Sequence, residues 1–234
     1  IHYQFNPIKT AKTSFLGTYN MLGLARRSGA RILFASTSEV YGNPEIHPQP
    51  EEYSGNVNPI GIRSCYNEGK RFAESLCYDY LRMHQTEIRI ARIFNTYGPR
   101  MLLDDGRLIS NLLVQSINGT DLTIYGDGKQ TRSFCFISDL IDSLILFMNS
   151  SIIGPINLGN PEELSILKIA NLIKETSIKK VNLMFLKGLE DDPFRRKPSI
   201  DLAQKELNWN PKIMFNEGLG ITREYFQDKL ILKK

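Results

Sequence analysis

Short apolar runs that alternate with helix-like segments are the feature that most constrains the fold of this chain. Residues 9–27 carry apolar side chains at helical spacing and stop before Gly29, a residue typical of the position just after a helix. The next run, 31–36, is short and apolar, as expected of a buried parallel strand. Helical spacing returns over 64–83, and a second strand pattern follows at 87–93. This alternation predicts an α/β fold with a parallel sheet.

The remaining chain continues the alternation and predicts two domains. A loop is expected between Gly42 and Pro59, because this segment contains four prolines. We expect residues 1–154 to form the parallel-sheet domain, with part of a smaller lobe inserted into it, and residues 155–234 to form the rest of that lobe. Further helices are predicted at 107–118, 138–148, 165–176, 201–208 and 216–229, and further strands near 122–125, 132–137, 156–158 and 181–186.

The composition argues against several functional classes. The 29 basic and 25 acidic residues give a net charge of +4. The sequence has no run of five like charges, so we expect no tail that binds nucleic acid. Cys65, Cys77 and Cys135 are odd in number and lack CxxC spacing, so we expect neither a disulfide framework nor a metal site. The longest apolar stretch, 140–148, is broken by Asp142 and is too short to span a membrane.

A tyrosine and a lysine on the helix at 64–83 are the first candidates for catalysis. Tyr66 and Lys70 are four residues apart, which places both side chains on one face of the helix. A tyrosine phenol has an ordinary pKa of about 10, and a nearby ammonium favours its deprotonated form. The pair is therefore suited to taking a proton from a substrate hydroxyl. The alternative is an exposed helix pair without a catalytic role, because this spacing also occurs by chance.

A polar segment at the end of the first strand supports the catalytic interpretation. Thr37, Ser38 and Glu39 directly follow the run 31–36. Ligands of open α/β sheets bind beyond the carboxyl ends of the strands, so these side chains are expected to face a substrate. The alternative is that the hydroxyl groups only end the strand and that Glu39 faces solvent.

Two later segments, 92–100 and 125–132, combine glycines with arginines. A guanidinium group binds phosphate through two parallel hydrogen bonds, so both segments suit a diphosphate ligand. Turns that carry surface arginines are the alternative for each.

Five segments together resemble the extended short-chain dehydrogenases that act on nucleotide sugars. In chain order they are STSEVYG, YNEGK, RIFNTYGPR, YGDGKQTRSF and RRKPSI, and the resemblance covers essentially the whole chain. Within this superfamily, residues 56–66 and the run Asp191-Asp192-Pro193 resemble the UDP-glucuronate decarboxylases. The resemblance implies a Rossmann-like parallel sheet with a small C-terminal α/β lobe for the nucleotide sugar.

The resemblance also implies roles for individual residues. Tyr66 would be the acid/base, and Lys70 its electrostatic partner, which also touches the nicotinamide ribose of NAD. Thr37 would bind the reacting C4 hydroxyl, Glu39 would lie near the substrate carboxylate, and Ser38 would stand where 4,6-dehydratases carry an acid. The implied substrate-binding residues are Asn95 and Arg132 at the diphosphate, Arg196 at the sugar acid, Tyr125 near the uracil, and Lys12; the implied cofactor-binding residues are Tyr66, Lys70, Thr13, Thr96 and Arg107. For Tyr125, a half-buried strand tyrosine is the alternative.

The implied reaction is an NAD-dependent decarboxylation. Oxidation of UDP-glucuronate at C4 makes a β-keto acid, which loses carbon dioxide before the hydride is returned, and the product is UDP-xylose. A nucleotide-sugar 4,6-dehydratase or 4-epimerase is the neighbouring alternative. Ser38 is a poor general acid, which favours a decarboxylase over a dehydratase, and epimerases usually lack a carboxylate at the position of Glu39.

The chain departs from the family pattern in its first part. The glycine-rich G-x-x-G-x-x-G turn that binds the NAD diphosphate does not occur in it, and Ser14 stands where relatives often have Asn. The resemblance therefore implies that the N-terminal βαβαβ half of the Rossmann domain is absent and that the chain alone binds NAD weakly. We expect an enzyme fragment; a non-catalytic partner subunit is another alternative. Relatives pair as homodimers through the helices matching 9–27 and 64–83, and they occur in the cytoplasm or the Golgi lumen, which leaves the compartment open.

Overall fold

A computed structural model describes residues 5–188 and 194–232. The helices are α1 (Pro7–Lys12), continued by a π-helical turn (Thr13–Gly17), α2 (Thr18–Ser28), α3 (Ser64–His84), α4 (Leu108–Asn118), α5 (Ile137–Asn149), α6 (Ile166–Glu175), α7 (Asp201–Leu207) and α8 (Phe215–Ile231). The strands are β1 (Ile32–Thr37), β2 (Ile88–Ile93), β3 (Thr96–Tyr97), β4 (Leu122–Tyr125), β5 (Thr131–Ser133), β6 (Cys135–Phe136), β7 (Ile156–Leu158), β8 (Glu163–Ser165) and β9 (Leu183–Leu186). A short 3-10 helix (Ser38–Tyr41) follows β1 directly.

The main sheet is parallel, with strand order β1-β2-β7. Its register pairs Ile32 with Ile88 and Thr37 with Ile93, so β1 and β2 end side by side. Helices α2 and α3 cover one face, where Leu22, Phe34, Ala73 and Cys77 share a buried apolar cluster. Helices α5 and α7 cover the other face, where residues such as Leu140, Phe147 and Ala203 are buried together. The predicted α/β class and parallel pairing are confirmed.

A second apolar core lies beneath α4, α6 and α8. It includes Leu112, Ile124, Ile169 and Phe226, each fully buried. Two small sheets border this core: β4 pairs with β9 in parallel, and β5 pairs with β8 in the antiparallel direction. This second core therefore draws its elements from both halves of the chain.

Three predicted elements are placed differently by the structure. Strand β7 pairs with β2 in the main sheet, although the predicted boundary at 155 assigned it to the lobe. Its side chains are all buried, so they require cover on both faces. The predicted strand 132–137 is divided into β5 and β6, which pair with different partners. Helix α5 begins at Ile137 with no side-chain cap, so Ser138 lies inside the helix instead of capping it.

The helix ends follow local backbone chemistry. Gly29 and Gly119 end α2 and α4 with φ values of 65° and 78°, the left-handed region that glycine adopts without strain. Ser165 caps α6, because its hydroxyl accepts a hydrogen bond from the amide of Lys168 at 3.1 Å. Among the described residues, no helix is both long enough and apolar enough to cross a membrane.

Gly69 allows α3 to pack closely against the π-helical turn. A Cβ atom at position 69 would lie 3.0 Å from the Cβ of Ser14, so a larger residue would require Ser14 to shift by a few tenths of an ångström.

Candidate active site

Three side chains of α3 bind three consecutive residues of β1. Tyr66 forms a side-chain hydrogen bond with Thr37. Lys70 Nζ donates to the carbonyl oxygen of Ala35 at 2.8 Å, and the hydroxyl of Ser36 donates to Glu74 at 2.5 Å. Because Tyr66, Lys70 and Glu74 are spaced by four residues, they stack on one face of the helix. These contacts hold Tyr66 and Lys70 at the carboxyl end of β1, where the sequence predicted them.

The electrostatic state of the pair differs from the prediction. Burial raises the pKa of Tyr66, and the hydrogen bond from Thr37 opposes this increase without cancelling it. Burial likewise lowers the pKa of Lys70, against the opposing charges of Cys77 and Glu74. The prediction that the Lys70 ammonium lowers the pKa of Tyr66 is therefore wrong for the chain alone, because desolvation dominates and Lys70 is bound to a carbonyl.

An arginine cluster surrounds Glu39, two residues beyond Thr37. Arg196 binds both oxygens of the carboxylate: Nη1 makes a short contact with Oε1, and Nη2 lies 3.2 Å from Oε2. Arg63 Nη2 lies 2.8 Å from the same Oε2. Arg132 also acts on the charge of Glu39, and Arg132 and Arg196 are both buried. Three guanidinium groups thus surround one carboxylate, which is an arrangement that favours an anionic ligand.

The charge of Glu39 is stable in this surrounding. Burial by itself would raise the pKa of the Glu39 carboxyl, but the charges of Arg196 and Arg63 outweigh burial and hold the pKa below its usual range. Sequence analysis assigned Glu39 and Arg196 to the same part of a substrate but did not predict that they bind each other. It also missed Arg63, although this residue lies only three positions before Tyr66.

The loop 42–59 holds the segment that carries Arg196. The amide of Gln49 donates to the carbonyl oxygen of Lys197, and the amide of Lys197 donates to the side chain of Gln49, both at 2.9 Å. The amide of Ser199 donates to the carbonyl oxygen of Gln49, also at 2.9 Å. The proline-rich loop is thus joined to residues 197–199 and fixes the position of Arg196 beside Glu39.

Arg92 belongs to an internal network instead of facing a diphosphate. Its guanidinium binds Glu74 at 2.8 Å and the hydroxyl of Tyr41 at 3.0 Å, and that hydroxyl donates to Asn157 at 2.7 Å. Glu74 is thus held by Arg92 and by Ser36 together. The sequence did carry a signal for this network, because Glu74 lies four residues after Lys70 on the same helix face.

The remaining predicted residues are spread around this centre. Ser38 is buried, and Asn95 and Thr96 are half-buried near the end of β2. Arg107 is largely exposed, and its charge opposes the increase in the pKa of Tyr66 that burial causes. Tyr125 lies at the end of β4 with 40% of its surface exposed, and Lys12 and Thr13 are exposed where α1 passes into the π-helical turn. The run Asp191-Asp192-Pro193 lies outside the described residues.

Two groups of the site could hold a cofactor. Lys70 offers an ammonium group at the carbonyl of Ala35, which is exposed on β1, and Tyr66 offers a hydroxyl at Thr37, and these are groups that can bind a ribose hydroxyl. The glycine-rich turn that binds a dinucleotide diphosphate does not occur in the sequence. Within 5–188 and 194–232, no group of three or more His, Cys, Asp or Glu side chains is placed to hold a metal ion.

Comparisons with known proteins identify the family. A family model described as GDP-mannose 4,6 dehydratase matches residues 1–222. The parallel sheet and the Tyr66–Lys70 pair at its carboxyl edge accordingly define an extended short-chain dehydrogenase.

Two individual relatives identify the family within this class. UDP-glucuronic acid decarboxylase 3 of Arabidopsis thaliana is 55% identical over 230 residues, which are 98% of this chain and 67% of the relative. UDP-glucuronic acid decarboxylase 1 of Xenopus tropicalis is 54% identical over 229 residues, which are 98% of this chain and 54% of the relative. The chain belongs to the UDP-glucuronic acid decarboxylase family and spans between about half and two thirds of these relatives.

A solved structure supports the fold. The crystal structure of UDP-glucuronic acid 4-epimerase from Bacillus cereus, in complex with UDP-glucuronic acid and NAD, aligns with a TM-score of 0.83 and 29% sequence identity. The alignment covers 93% of this chain and 68% of the epimerase.

Proposed function

We propose that the protein carrying this chain decarboxylates UDP-glucuronate to UDP-xylose with NAD as its cofactor. One observation carries the proposal: Thr37, which binds Tyr66, and Glu39, which binds Arg196, are separated by a single residue. The C4 hydroxyl and the C5 carboxylate of a glucuronate ring are on neighbouring carbons. A proton-transfer pair beside a carboxylate-binding arginine therefore matches the two groups that react.

The first step is removal of the C4 hydroxyl proton. Tyr66 accepts this proton. Thr37, whose side chain is hydrogen-bonded to Tyr66 in the chain without ligand, holds the C4 hydroxyl next to the phenol. Tyr66 and Lys70 would hold NAD at its nicotinamide ribose, and the cofactor would supply the hydride exchange at C4, first as acceptor and then as donor. Lys70 stands one helical turn from Tyr66 and stabilises the phenolate once a ligand displaces its ammonium from the Ala35 carbonyl.

The second step is loss of carbon dioxide. With a ketone at C4, the electron pair of the breaking carbon–carbon bond is delocalised onto the ketone oxygen as an enolate. A proton from water then adds at C5 in place of the carboxyl group and restores the ketone, and Tyr66 returns the proton from the first step to the C4 oxygen when the hydride is returned. No other acid is needed for carbon dioxide to leave. The buried hydroxyl of Ser38, which is 2% exposed, suits this chemistry better than a dehydration that expels a C6 hydroxyl.

The rest of the nucleotide sugar occupies the smaller lobe. In this proposal Asn95 and Arg132 bind the diphosphate, Tyr125 borders the uracil, and Lys12 lies near the substrate. Thr13, Thr96 and Arg107 line the cofactor. The buried guanidinium of Arg132 supports its role, because it lies close enough to act on Glu39. We retain the division into a sheet domain and a nucleotide-sugar lobe, with β7 moved to the sheet domain.

We further propose that two copies pair through α1, α2 and α3. Phe15, Tyr19 and Phe72 are 40%, 49% and 53% exposed, and the rings of Phe15 and Phe72 pack edge to face with centroids 5.2 Å apart. A contiguous exposed apolar surface of this kind is typical of a protein interface.

A 4-epimerase is the second candidate, because the similar Bacillus cereus structure is a UDP-glucuronic acid 4-epimerase. The test supplies the full-length protein with NAD and UDP-glucuronate radiolabelled at the carboxyl carbon. We expect release of labelled carbon dioxide together with UDP-xylose, and neither product from Tyr66→Phe. A labelled UDP-hexuronate of inverted C4 configuration, without carbon dioxide, would establish the epimerase instead.

A further inference from the structure

We infer that Arg63 is a positioning residue that holds the Glu39 carboxylate when a substrate carboxylate takes its place on Arg196. The inference rests on the proposed function, since it concerns the binding of a uronic acid. Arg63 is a second partner of Glu39, and it does not move when the ligand binds. The selectivity for a uronic acid then arises because the ligand carboxylate replaces Glu39 on Arg196 while Glu39 stays paired with Arg63.

Both terminal nitrogens of the Arg196 guanidinium already have a hydrogen-bond partner in the structure. Both donate to Glu39, and Arg196 is only 4% exposed. Its Nε is buried and donates no hydrogen bond to any described residue, so the edge formed by Nε and Nη2 is closed to a ligand from solvent. An incoming carboxylate must therefore displace Glu39 from the two terminal nitrogens to bind the guanidinium in bidentate fashion.

Displacing Glu39 would be costly if the carboxylate had no other cation nearby. The Glu39 side chain is 13% exposed, and a buried carboxylate without a partner is strongly destabilised. Arg63 lowers this cost, because its Nη2 lies 2.8 Å from Oε2 and remains a charged partner of the carboxylate when the contacts with Arg196 are lost. A rotation of the carboxylate about its side chain then breaks the contacts with Arg196 and leaves those with Arg63.

The position of Arg63 suits a stationary role. It is the residue that precedes α3, with φ and ψ of −98° and −4°, and the amides of Tyr66 and Asn67 donate to its carbonyl oxygen. Its backbone is thus part of the helix start that carries Tyr66. Arg196, in contrast, is held through the Gln49 contacts of residues 197–199, so the two arginines approach Glu39 from separate elements.

The exchange conserves ion pairs only for ligands that bring a carboxylate. With UDP-glucuronate, Arg196 binds the ligand and Arg63 binds Glu39. With UDP-xylose, which shares the nucleotide and the ring but lacks the carboxylate, Glu39 remains on both arginines. Removal of the Arg63 charge should therefore weaken binding of UDP-glucuronate and leave UDP-xylose unaffected.

The experiment measures dissociation constants of both ligands by titration calorimetry on the full-length protein with NAD supplied. Every protein compared, including the one called wild type in this experiment, carries Tyr66→Phe, so that UDP-glucuronate is bound but not turned over. We expect wild type to prefer UDP-glucuronate and Arg63→Gln to lose about tenfold of that preference, the size typical of coupling between contacting charged residues. The double variant Arg63→Gln/Glu39→Gln should regain the preference, because no buried carboxylate then competes for Arg196. A purely structural role of Arg63 would not produce this rescue.

The outcomes separate the inference from the proposed function. Equal binding of both ligands by wild type would count against the proposed function. A wild-type preference that survives in Arg63→Gln would overturn the inference alone, as would equal weakening of both ligands without rescue in the double variant. If Arg63→Gln does not fold, Arg63→Lys decides: a reduced preference supports the inference, and an unchanged one overturns it.

Discussion

The carboxylate of Glu74 accepts a 2.5 Å hydrogen bond from Ser36, the residue that stands between Ala35 and Thr37 on β1. Ala35 and Thr37, the neighbours of Ser36 on the strand, bind Lys70 and Tyr66, so the contact between Ser36 and Glu74 is the third one that fixes α3 over the strand. Glu74 is also the ion-pair partner of Arg92, whose side chain is only 12% exposed.

Glu74→Gln is therefore expected to destabilise the fold. The substitution leaves the Arg92 guanidinium buried without its charged partner, a loss of about 3 kcal/mol in the free energy of unfolding. Urea denaturation measures this loss. Asp79→Asn on the same helix is the matched control: it breaks an exposed ion pair with Arg82 and should change stability by less than about 0.5 kcal/mol. Equal effects of the two substitutions would contradict this account.

Tyr66→Phe should abolish turnover while the nucleotide sugar still binds. The phenol is the proton acceptor in the proposed reaction, and loss of a general base lowers kcat by about 10²–10⁴-fold. Thr37 loses only a hydrogen-bond partner, so the fold should persist. Turnover is measured by release of carbon dioxide, and binding by calorimetry. Tyr19→Phe removes an exposed hydroxyl and should retain wild-type kcat; a similar loss there would show that the assay reports on folding.

Stability should depend on acid pH through Glu39. Its pKa is held below the usual range, although burial opposes this, because Arg196 and Arg63 stabilise the charged form. The unfolded chain therefore binds a proton at higher pH than the folded chain does. The contribution of Glu39 is fully present above the ordinary pKa of about 4.3 and is lost as the pH falls through the lowered folded value. Unfolding free energies of wild type and Glu39→Gln should converge in acid, and parallel curves from pH 7 downward would refute this.

Phe72→Glu should convert the proposed dimer to a monomer. The ring of Phe72 is 53% exposed beside Phe15, and a carboxylate in an apolar interface would be desolvated without a partner. Sedimentation velocity gives the oligomeric state. Met214→Glu places the same charge on a residue that is 64% exposed and outside α1, α2 and α3, and it should leave the dimer intact. A wild-type monomer would refute the proposed interface.

Local signals in the sequence were sufficient for the helices and the longer strands. Gly29 and Gly119 end helices because their positive φ suits glycine, and β1 and β2 are long enough to show an apolar pattern. Strands β3 and β8 have two or three residues, too few to display a period, and they were not predicted. Strand β7 was predicted but assigned to the wrong domain, because a three-residue run does not reveal its pairing partner.

The site was predictable in part for the same reason. Thr37 and Tyr66 are recognisable from their positions at a strand end and a helix start. The contact of Glu39 with Arg196 joins residues 157 positions apart, and no local pattern encodes it. The pKa of Lys70 was also not predictable from the sequence, because it is lowered by burial, which only the folded chain creates.

The bridge between Gln49 and residues 197–199 has a consequence for redesign of this scaffold. Surface loops rich in proline usually accept insertions and exchange between homologues without affecting a distant centre. Here three 2.9 Å hydrogen bonds join Gln49 of the loop 42–59 to residues 197–199, which directly follow Arg196. If either segment is exchanged alone, these hydrogen bonds are disturbed and the guanidinium group of Arg196 is misplaced. A chimaera therefore has to carry both segments from the same donor.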